Sequence, residues 1–293
     1  IMEYIQYPGA LKELDKFKDK KVYMIADKRS YDTFDNVNNF KIEIFNGECS
    51  LKEIERLSLL VKDYDVVIGF GGGKILDVAK ALAHFNKKHL IIIPTSASND
   101  GPCTAVSVLY HEDGSLDRYL YLDKNPDVVL VDTSIIIKCP TRLTIAGMGD
   151  ALSTYFEARA NGKMNDEARE CFDNLMKYGL DSISGFENKE LGELQEIIIR
   201  TNIYLSGIGF EKCGTNLAHE ISYKLNCPKM HGEKVAYGTL VQLCYETAEE
   251  FNEVFKWCKA LGLPTSLKDL EIEMLDLGEE INKSILRLEL LNK

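Results

Sequence analysis

Three residues in the second half of the chain have side chains that bind divalent metal ions: Asp150, His219 and His231. One carboxylate and two imidazoles form a common ligand set for an open catalytic metal site. Taken one at a time, each residue also has an ordinary structural explanation. Asp150 follows a Gly-Met-Gly sequence and fits a helix N-terminus, where the helix dipole favours a carboxylate. Each histidine fits a satisfied, partly buried ring.

A second group of polar side chains lies in the loop of residues 94–101, directly after an apolar run that is typical of a buried strand. The loop is rich in Thr, Ser, Asn, Asp and Gly. Its small hydroxyls and the carboxylate of Asp100 suit hydrogen bonding to a small polar ligand. The alternative is a solvated loop closed by Asx and Ser turns.

Three consecutive glycines, Gly71, Gly72 and Gly73, connect a predicted strand to a predicted helix that begins at Lys74. Glycines allow positive φ and close approach to the backbone. The free N–H groups at the start of the helix favour a phosphate, and Lys74 adds a positive charge. The alternative is a tight connection without a ligand. Neither the G-x-G-x-x-G fingerprint nor the P-loop fits this turn, because Lys74 and Ile75 replace residues that they require.

Asp27 ends an early apolar strand, where a carboxylate can accept hydrogen bonds from an adenosine ribose. Such a contact favours NAD over NADP, because a 2′-phosphate would meet a like charge. The alternative is a simple turn residue at the end of a strand.

The elements that must position these residues differ between the two halves of the chain. The first half alternates strands and helices, which predicts a parallel sheet covered by helices. Its predicted strands are residues 22–26, 42–45, 65–69, 90–93 and 128–131, its helices 51–62 and 74–84, with a hairpin of 106–110 and 119–122 and a short helix capped by Asp132. The second half predicts helices alone, at residues 143–160, 166–178, 191–205, 216–224, 233–250 and 252–261. We therefore predict two domains, residues 1–139 and 140–293.

Composition excludes several classes of protein. The 35 basic residues against 46 acidic ones give a net charge of −11, which argues against binding nucleic acid or an anionic membrane surface. The eight cysteines form no C-x-x-C pair, which indicates the reduced thiols of a cytoplasmic protein. No apolar run approaches the ~18 residues of a membrane span, and the first residues lack the pattern of a signal peptide.

Six segments together resemble the iron-containing alcohol dehydrogenase superfamily and, within it, the glycerol dehydrogenase branch. They are residues 69–80, 93–110, 125–133, 147–158, 205–211 and 230–238. The segments occur in the family's order and cover most of residues 20–245. The resemblance implies an N-terminal Rossmann-like NAD-binding α/β domain and an all-α C-terminal domain, the dehydroquinate synthase-like fold, with the active site in the cleft between them.

The resemblance also implies roles for individual residues. Asp150, His219 and His231 match the family's metal ligands, and Asp100 matches an aspartate that binds a substrate hydroxyl. These four residues form the implied catalytic set. The implied cofactor-binding residues are Asp27 for the ribose, Gly71, Gly72 and Gly73 for the pyrophosphate, and Lys74, Asp77, Thr95 and Ser98 around them.

The implied activity is NAD-dependent oxidation of glycerol, or of a similar small vicinal diol, to the hydroxyketone; glycerol would give dihydroxyacetone. A metal ion, Zn²⁺ with Fe²⁺ as the alternative, lowers the pKa of the diol hydroxyl. Hydride passes from the carbinol carbon to a nicotinamide held close to it. The resemblance further implies a small neutral polyol as substrate and a homo-oligomer.

Three other functions stay open at this point. A dehydroquinate-synthase-like enzyme or a polyol-phosphate enzyme would bind an anionic substrate, but the loop of residues 96–102 offers Asp100 and no basic residue. A nucleotide-binding member without turnover is the third alternative. Three regions that are shorter than usual for the family motivate it: the segment between His219 and His231, residues 162–190, and the chain after Leu263.

Overall fold

The computed structural model describes residues 1–33 and 39–292. Its strands are β1 (Glu3–Tyr7), β2 (Val22–Ala26), β3 (Lys41–Ile44), β4 (Val66–Gly71), β5 (His89–Pro94), β6 (Val106–Tyr110), β7 (Leu116–Tyr121) and β8 (Val128–Asp132). Six of them form one parallel sheet in the order β1-β8-β5-β4-β2-β3, whereas β6 and β7 form an antiparallel hairpin. Every strand predicted from the sequence is present, and β1 was not predicted.

The central strands are rich in Val and Ile and are buried along their whole length. A strand that is apolar on both faces belongs in a parallel sheet that is covered on both sides. The register aligns Met24, Ile68, Ile91 and Val128 in one row across four strands, and all four lie in the same hydrophobic cluster. This row shows the register of the four strands at the centre of the sheet.

The helices of this unit are α1 (Lys28–Asp32), α2 (Leu51–Leu60), α3 (Gly73–Asn86) and α4 (Thr133–Ile136), with 3₁₀ turns at Ala10–Phe17 and Gly101–Cys103. Side-chain caps explain where two of them begin. The Ser50 hydroxyl accepts a hydrogen bond from the Glu53 N–H at the start of α2. The Asp132 carboxylate caps α4 as predicted, by accepting from the Ser134 N–H.

Strands β2 and β4 are neighbours whose following connections leave in opposite directions along the sheet. After β2 the chain reaches β3 at the sheet edge, whereas after β4 it passes through α3 to β5 on the other side. Ligands of open parallel sheets bind at such a reversal, beside the carboxyl ends of the strands. Asp27 directly follows β2 and Gly71 ends β4, so both lie at this point.

The second half contains α5 (Thr141–Ala160), α6 (Asp166–Asn188), α7 (Glu193–Arg200), α8 (Ser206–Cys213), α9 (Leu217–Lys224), α10 (His231–Glu246), α11 (Phe251–Ala260) and α12 (Glu279–Leu290). A π-helical turn, Thr201–Leu205, joins α7 to α8 without a break. Six of these helices were predicted, although α6 continues well past its predicted end at residue 178. Helices α8 and α12 were not predicted.

The chain forms two compact units. Residues Ile1–Ser96 and Gly101–Cys139 make the first, and Ala97–Asp100 with Pro140–Lys293 make the second. Four residues of the polar loop, including Asp100, therefore group with the helical unit. Within the described residues, no helix is long and apolar enough to cross a membrane.

Lys80 links α3 to the chain that follows the polar loop. Its side chain is 1% exposed, and its ammonium donates to the carbonyl oxygens of Gly101 and Val106 and to the Thr104 hydroxyl. A buried ammonium is tolerated only where acceptors replace its lost water. Lys80 therefore holds the start of the β6 segment against α3.

We predict that Lys80→Met lowers the free energy of unfolding by about 2–4 kcal/mol, because buried acceptors lose their donor. Lys88→Met is the matched control, since the Lys88 ammonium also donates to a carbonyl, that of Lys62, but at an exposed position. It should change stability by less than about 0.5 kcal/mol. Urea denaturation followed by circular dichroism measures the free energy of unfolding of both variants. An equal loss of stability in the two variants would contradict the structural role of Lys80.

Candidate active site

Asp150 lies in the middle of α5 with 2% of its side chain exposed. Neither of its carboxylate oxygens has a hydrogen-bond partner in the described part of the chain. The alternative explanation of Asp150 as a helix N-terminal residue is wrong, because α5 already begins at Thr141. A buried carboxylate without donors is costly unless a cation neutralises it.

His219 and His231 both face Asp150. His219 lies in the first turn of α9, and His231 is the first residue of α10, which starts two residues before its predicted beginning at Glu233. The Nε2 atoms of His219 and His231 lie 3.5 and 3.4 Å from Asp150 Oδ1. One ligand atom from each of the three residues falls within 4.8 Å of the others, as a shared metal ion requires.

The three candidate ligands differ in exposure. Asp150 and His219 are buried, whereas 44% of the His231 side chain is exposed. A set of three ligands that is closed on one side and accessible on the other leaves room for a substrate or water to bind. The donor types, their spacing and the orphaned oxygens of Asp150 together fit a divalent metal ion.

Close packing of two helices brings His231 to Asp150. An added Cβ at Gly232 would lie only 1.8 Å from the carbonyl oxygen of Ala146 on α5. Only glycine allows the start of α10 to approach the backbone of α5 this closely. The Gly after His231 is therefore part of the geometry of the ligand set.

Glu157 orients His219 and was not found from the sequence. It is fully buried on α5, two helical turns after Asp150 and on the same face. Its carboxylate lies 2.7 Å from His219 Nδ1 and accepts from the backbone N–H groups of His219 and Asn216, at 3.0 and 2.8 Å. With Nδ1 donating to Glu157, Nε2 is the ring nitrogen that faces Asp150. The helical spacing of two acidic residues was the available signal.

The charges of the site favour an ionised aspartate. Burial opposes the charged form of Asp150, but its interactions with His231 and His219 outweigh burial and hold the pKa of Asp150 well below its usual value. Burial also opposes the charge on His219, yet Asp150 and Glu157 raise its pKa to about 10. The site thus maintains a carboxylate whose oxygens are free to bind a cation.

Asp100 reaches the same site from the polar loop. Its Oδ2 accepts a hydrogen bond of 3.0 Å from the Ser206 hydroxyl on α8. Part of its surface stays accessible, but dense packing around the carboxyl and the negative charge of Asp150 raise its pKa to about 7. The structure therefore brings together all four residues predicted for the catalytic set: Asp100, Asp150, His219 and His231.

The first unit holds the residues predicted for a cofactor at the reversal in the sheet. Asp27 Oδ1 accepts from the Ser30 N–H at 2.7 Å, and its Oδ2 lies 2.7 Å from where a Cβ of Gly71 would be. Among the described residues, no atom beyond the chain neighbours and the helix backbone lies within 4 Å of the Cβ positions of Gly72 and Gly73, at the start of α3. None of the three glycines has a positive φ. The role of these glycines is therefore to lack side chains. The exposed backbone that results fits a pyrophosphate.

The other predicted cofactor residues have different surroundings. Lys74 forms an ion pair of 2.8 Å with Glu48. Burial raises the pKa of Asp77 to about 7. The Thr95 N–H donates to the Gly71 carbonyl at 3.2 Å, which places Thr95 beside the glycine turn. Ser98 instead groups with the helical unit, in the same four-residue segment as Asp100.

Comparison with known proteins gives the family. The model of the iron-containing alcohol dehydrogenase family matches residues 3–140. The glycerol dehydrogenase of Thermotoga maritima is 41% identical over 304 aligned residues, which cover 92% of this chain and 83% of that protein. The chain belongs to the iron-containing alcohol dehydrogenase family.

Two solved structures agree with this assignment. A probable glycerol dehydrogenase from Sinorhizobium meliloti has a TM-score of 0.88 at 32% identity, with coverage of 99% of this chain and 97% of that one. The glycerol dehydrogenase of Schizosaccharomyces pombe has a TM-score of 0.87 at 30% identity, with coverage of 98% and 88%. The predicted family, fold class and oxidoreductase class are confirmed. The roles given to single residues stay predictions.

We predict that Glu157→Gln weakens metal binding by about 10–100-fold. The amide has one acceptor oxygen where the carboxylate accepts from three groups, so His219 loses its fixed orientation. Competition with a chelator of known affinity measures the dissociation constant of the metal.

Glu170→Gln is the matched control, because Glu170 is exposed and pairs only with Arg200 among the described ion pairs. It should leave metal affinity unchanged. An unchanged affinity in Glu157→Gln, or an equal loss in the control, would contradict the role of Glu157.

Proposed function

We propose that the protein is an NAD-dependent, metal-dependent dehydrogenase that oxidises glycerol or a similar small vicinal diol to the hydroxyketone. The observation that carries the proposal is the buried Asp150 carboxylate, which lacks hydrogen bonds and faces the Nε2 atoms of His219 and His231. The names of the relatives from Thermotoga maritima and Schizosaccharomyces pombe support glycerol as the substrate.

Asp150, His219 and His231 would hold the metal ion, with Glu157 fixing the ring of His219. A divalent ion bound there acts as a Lewis acid and lowers the pKa of a substrate hydroxyl. Zinc suits one carboxylate and two imidazoles without redox chemistry of its own, and ferrous iron is the alternative. The exposed side of His231 gives the substrate access and the hydroxyl proton a route to water.

Asp100 would accept a hydrogen bond from the second hydroxyl of the diol and so fix which carbon reacts. A neutral diol suits this carboxylate better than an anionic substrate does. Arg142 lies on the same helix as Asp150, but its guanidinium already donates to both oxygens of Glu233, at 2.7 and 2.9 Å. It therefore does not supply a positive charge for an anionic substrate. These contacts favour a neutral polyol over a polyol phosphate.

Asp27 and the glycine turn would bind the cofactor. The carboxylate of Asp27 accepts hydrogen bonds from the ribose, while the bare face at Gly72 and Gly73 receives the pyrophosphate at the start of α3. NAD supplies the hydride acceptor. The negative charge of Asp27 disfavours the 2′-phosphate of NADP.

We further propose a cytoplasmic location, because all eight cysteines carry free thiols. The proposal of a homo-oligomer rests on the family resemblance alone.

The experiment that tests the proposed function is NAD reduction with glycerol before and after chelation. We predict that chelation lowers the rate by at least about 100-fold and that zinc restores it, because Asp150, His219 and His231 would no longer hold the Lewis acid that lowers the pKa of the substrate hydroxyl. Ferrous iron is added in parallel to identify the preferred ion.

Asp150→Asn should stay inactive after zinc is added while its dissociation constant for NAD stays within about twofold of the wild type. His111→Ala, at an exposed histidine of the β6–β7 connection, is the control and should keep full activity. Activity that survives complete metal removal would contradict the proposal. Reduction with a polyol phosphate in place of neutral diols would reassign the substrate.

A further inference from the structure

One turn of helix holds both ends of the segment Ala97–Asp100. The side-chain nitrogen of Asn202 donates to the carbonyl oxygens of Ala97 and Thr144, at 2.9 and 3.1 Å. The Ser206 hydroxyl lies 3.0 Å from Asp100 Oδ2, to which it donates. Asn202 and Ser206 are both fully buried. The segment that carries Asp100 is therefore fastened at its first and last residues.

Asn202 lies in the π-helical turn Thr201–Leu205, and Ser206 is the residue that directly follows it. The backbone N–H of Ser206 donates to the Thr201 carbonyl, five residues earlier, instead of the usual four. Single π-helical turns are less favourable than α-helix and occur often at functional sites. Asn202 and Ser206 lie four residues apart, and both contact the same short segment.

A second hydroxyl extends the contact with Asp100. Thr154 Oγ1 lies 3.1 Å from Ser206 Oγ, and Thr154 is also buried. A hydroxyl has one proton to donate, so Ser206, which donates to Asp100, accepts from Thr154. Thr154 lies one turn after Asp150 on α5. The helix that carries the central metal ligand thus also supports Asp100 through Ser206.

The segment Ala97–Asp100 packs so closely against α5 that its backbone has no space to shift. An added Cβ at Gly147 would lie 1.9 Å from the Ala97 carbonyl oxygen and 2.6 Å from the Asn202 side-chain nitrogen. The backbone of the segment therefore rests directly on the backbone of α5. With the backbone held, the orientation of the Asp100 side chain depends on the hydrogen bond from Ser206.

We propose that Ser206 and Thr154 are positioning residues that fix the Asp100 carboxylate and thereby set the preference for alcohols with a second, neighbouring hydroxyl. This inference rests on the proposed function, in which Asp100 binds that hydroxyl. Ser206 engages Oδ2 and leaves Oδ1 for the substrate. A site built to hydrogen-bond a substrate hydroxyl rejects the analogue that lacks it, and this selectivity weakens when the acceptor is no longer held in place.

The test compares propane-1,2-diol with propan-2-ol, which lacks the neighbouring hydroxyl. In zinc-loaded Ser206→Ala, the ratio of kcat/KM for the diol to that for the monoalcohol should fall at least about tenfold. The KM for the diol should rise, while zinc content and the KM for NAD stay unchanged. Thr154→Val should lower the ratio in the same direction, and Thr154→Ser, which keeps the hydroxyl, should restore it.

The double variant Ser206→Ala/Thr154→Val should be no worse than Ser206→Ala alone, because Thr154 acts through Ser206. Ser182→Ala is the matched control. Its equally buried hydroxyl bonds only the Gly179 carbonyl among the described hydrogen bonds, and its loss should leave the ratio unchanged.

Crystal structures give a readout that does not require turnover. Asp100 should adopt one rotamer in the wild type and leave it in Ser206→Ala. An unchanged diol preference in Ser206→Ala, or an unchanged Asp100 rotamer, overturns the inference. If the wild type oxidises no diol, the proposed function fails and the rotamers alone decide the positioning role. If Ser206→Ala does not fold, the comparison of Thr154→Val with Thr154→Ser tests both the diol preference and the Asp100 rotamer.

Discussion

The structure of the helical unit depends on one constraint, the burial of an ionised carboxylate in the middle of a long helix. Asp150 has no hydrogen-bond donor among the described residues, and a carboxylate in such a place is tolerated only beside positive charge. Three other features serve this need. His219 and His231 face the carboxylate, Glu157 holds the ring of His219, and Gly232 allows α10 to begin against α5. The arrangement leaves the Asp150 oxygens without hydrogen bonds and turns two imidazoles toward them, as a site for a cation requires.

Helix α5 is the common support of the site. Along one helix it presents Asp150 to His219 and His231, Thr154 to the Ser206 hydroxyl and Glu157 to the His219 ring, at successive turns of the same face. A single helix therefore sets the spacing between a candidate metal ligand, the carboxylate that contacts His219 and the support of Asp100. Functional groups on one helix keep their geometry better than groups on separate loops do.

The parts of this structure that local pattern determines could be predicted from the sequence. Strands such as β4 and β8 are short apolar runs that need no partner to be recognised, and the Asp132 cap follows from a local turn. Strand β1 was missed because Glu3 and Gln6 interrupt the apolar run of a short edge strand, and α8 was missed because Gly207 and Gly209 weaken its pattern. Glu157 was missed because its partner His219 lies 62 residues away in the chain, so only the folded helices bring the two together.

The most direct test of the account is anomalous X-ray diffraction at the zinc absorption edge from crystals of the zinc-loaded protein. The account predicts one strong peak within coordination distance, about 2.0–2.2 Å, of an Asp150 oxygen and the Nε2 atoms of His219 and His231. It also predicts that His219 Nδ1 keeps its contact with Glu157. A peak at other residues, or no peak while protein donors satisfy both oxygens of Asp150, would contradict the central claim that this buried carboxylate exists to bind a metal ion.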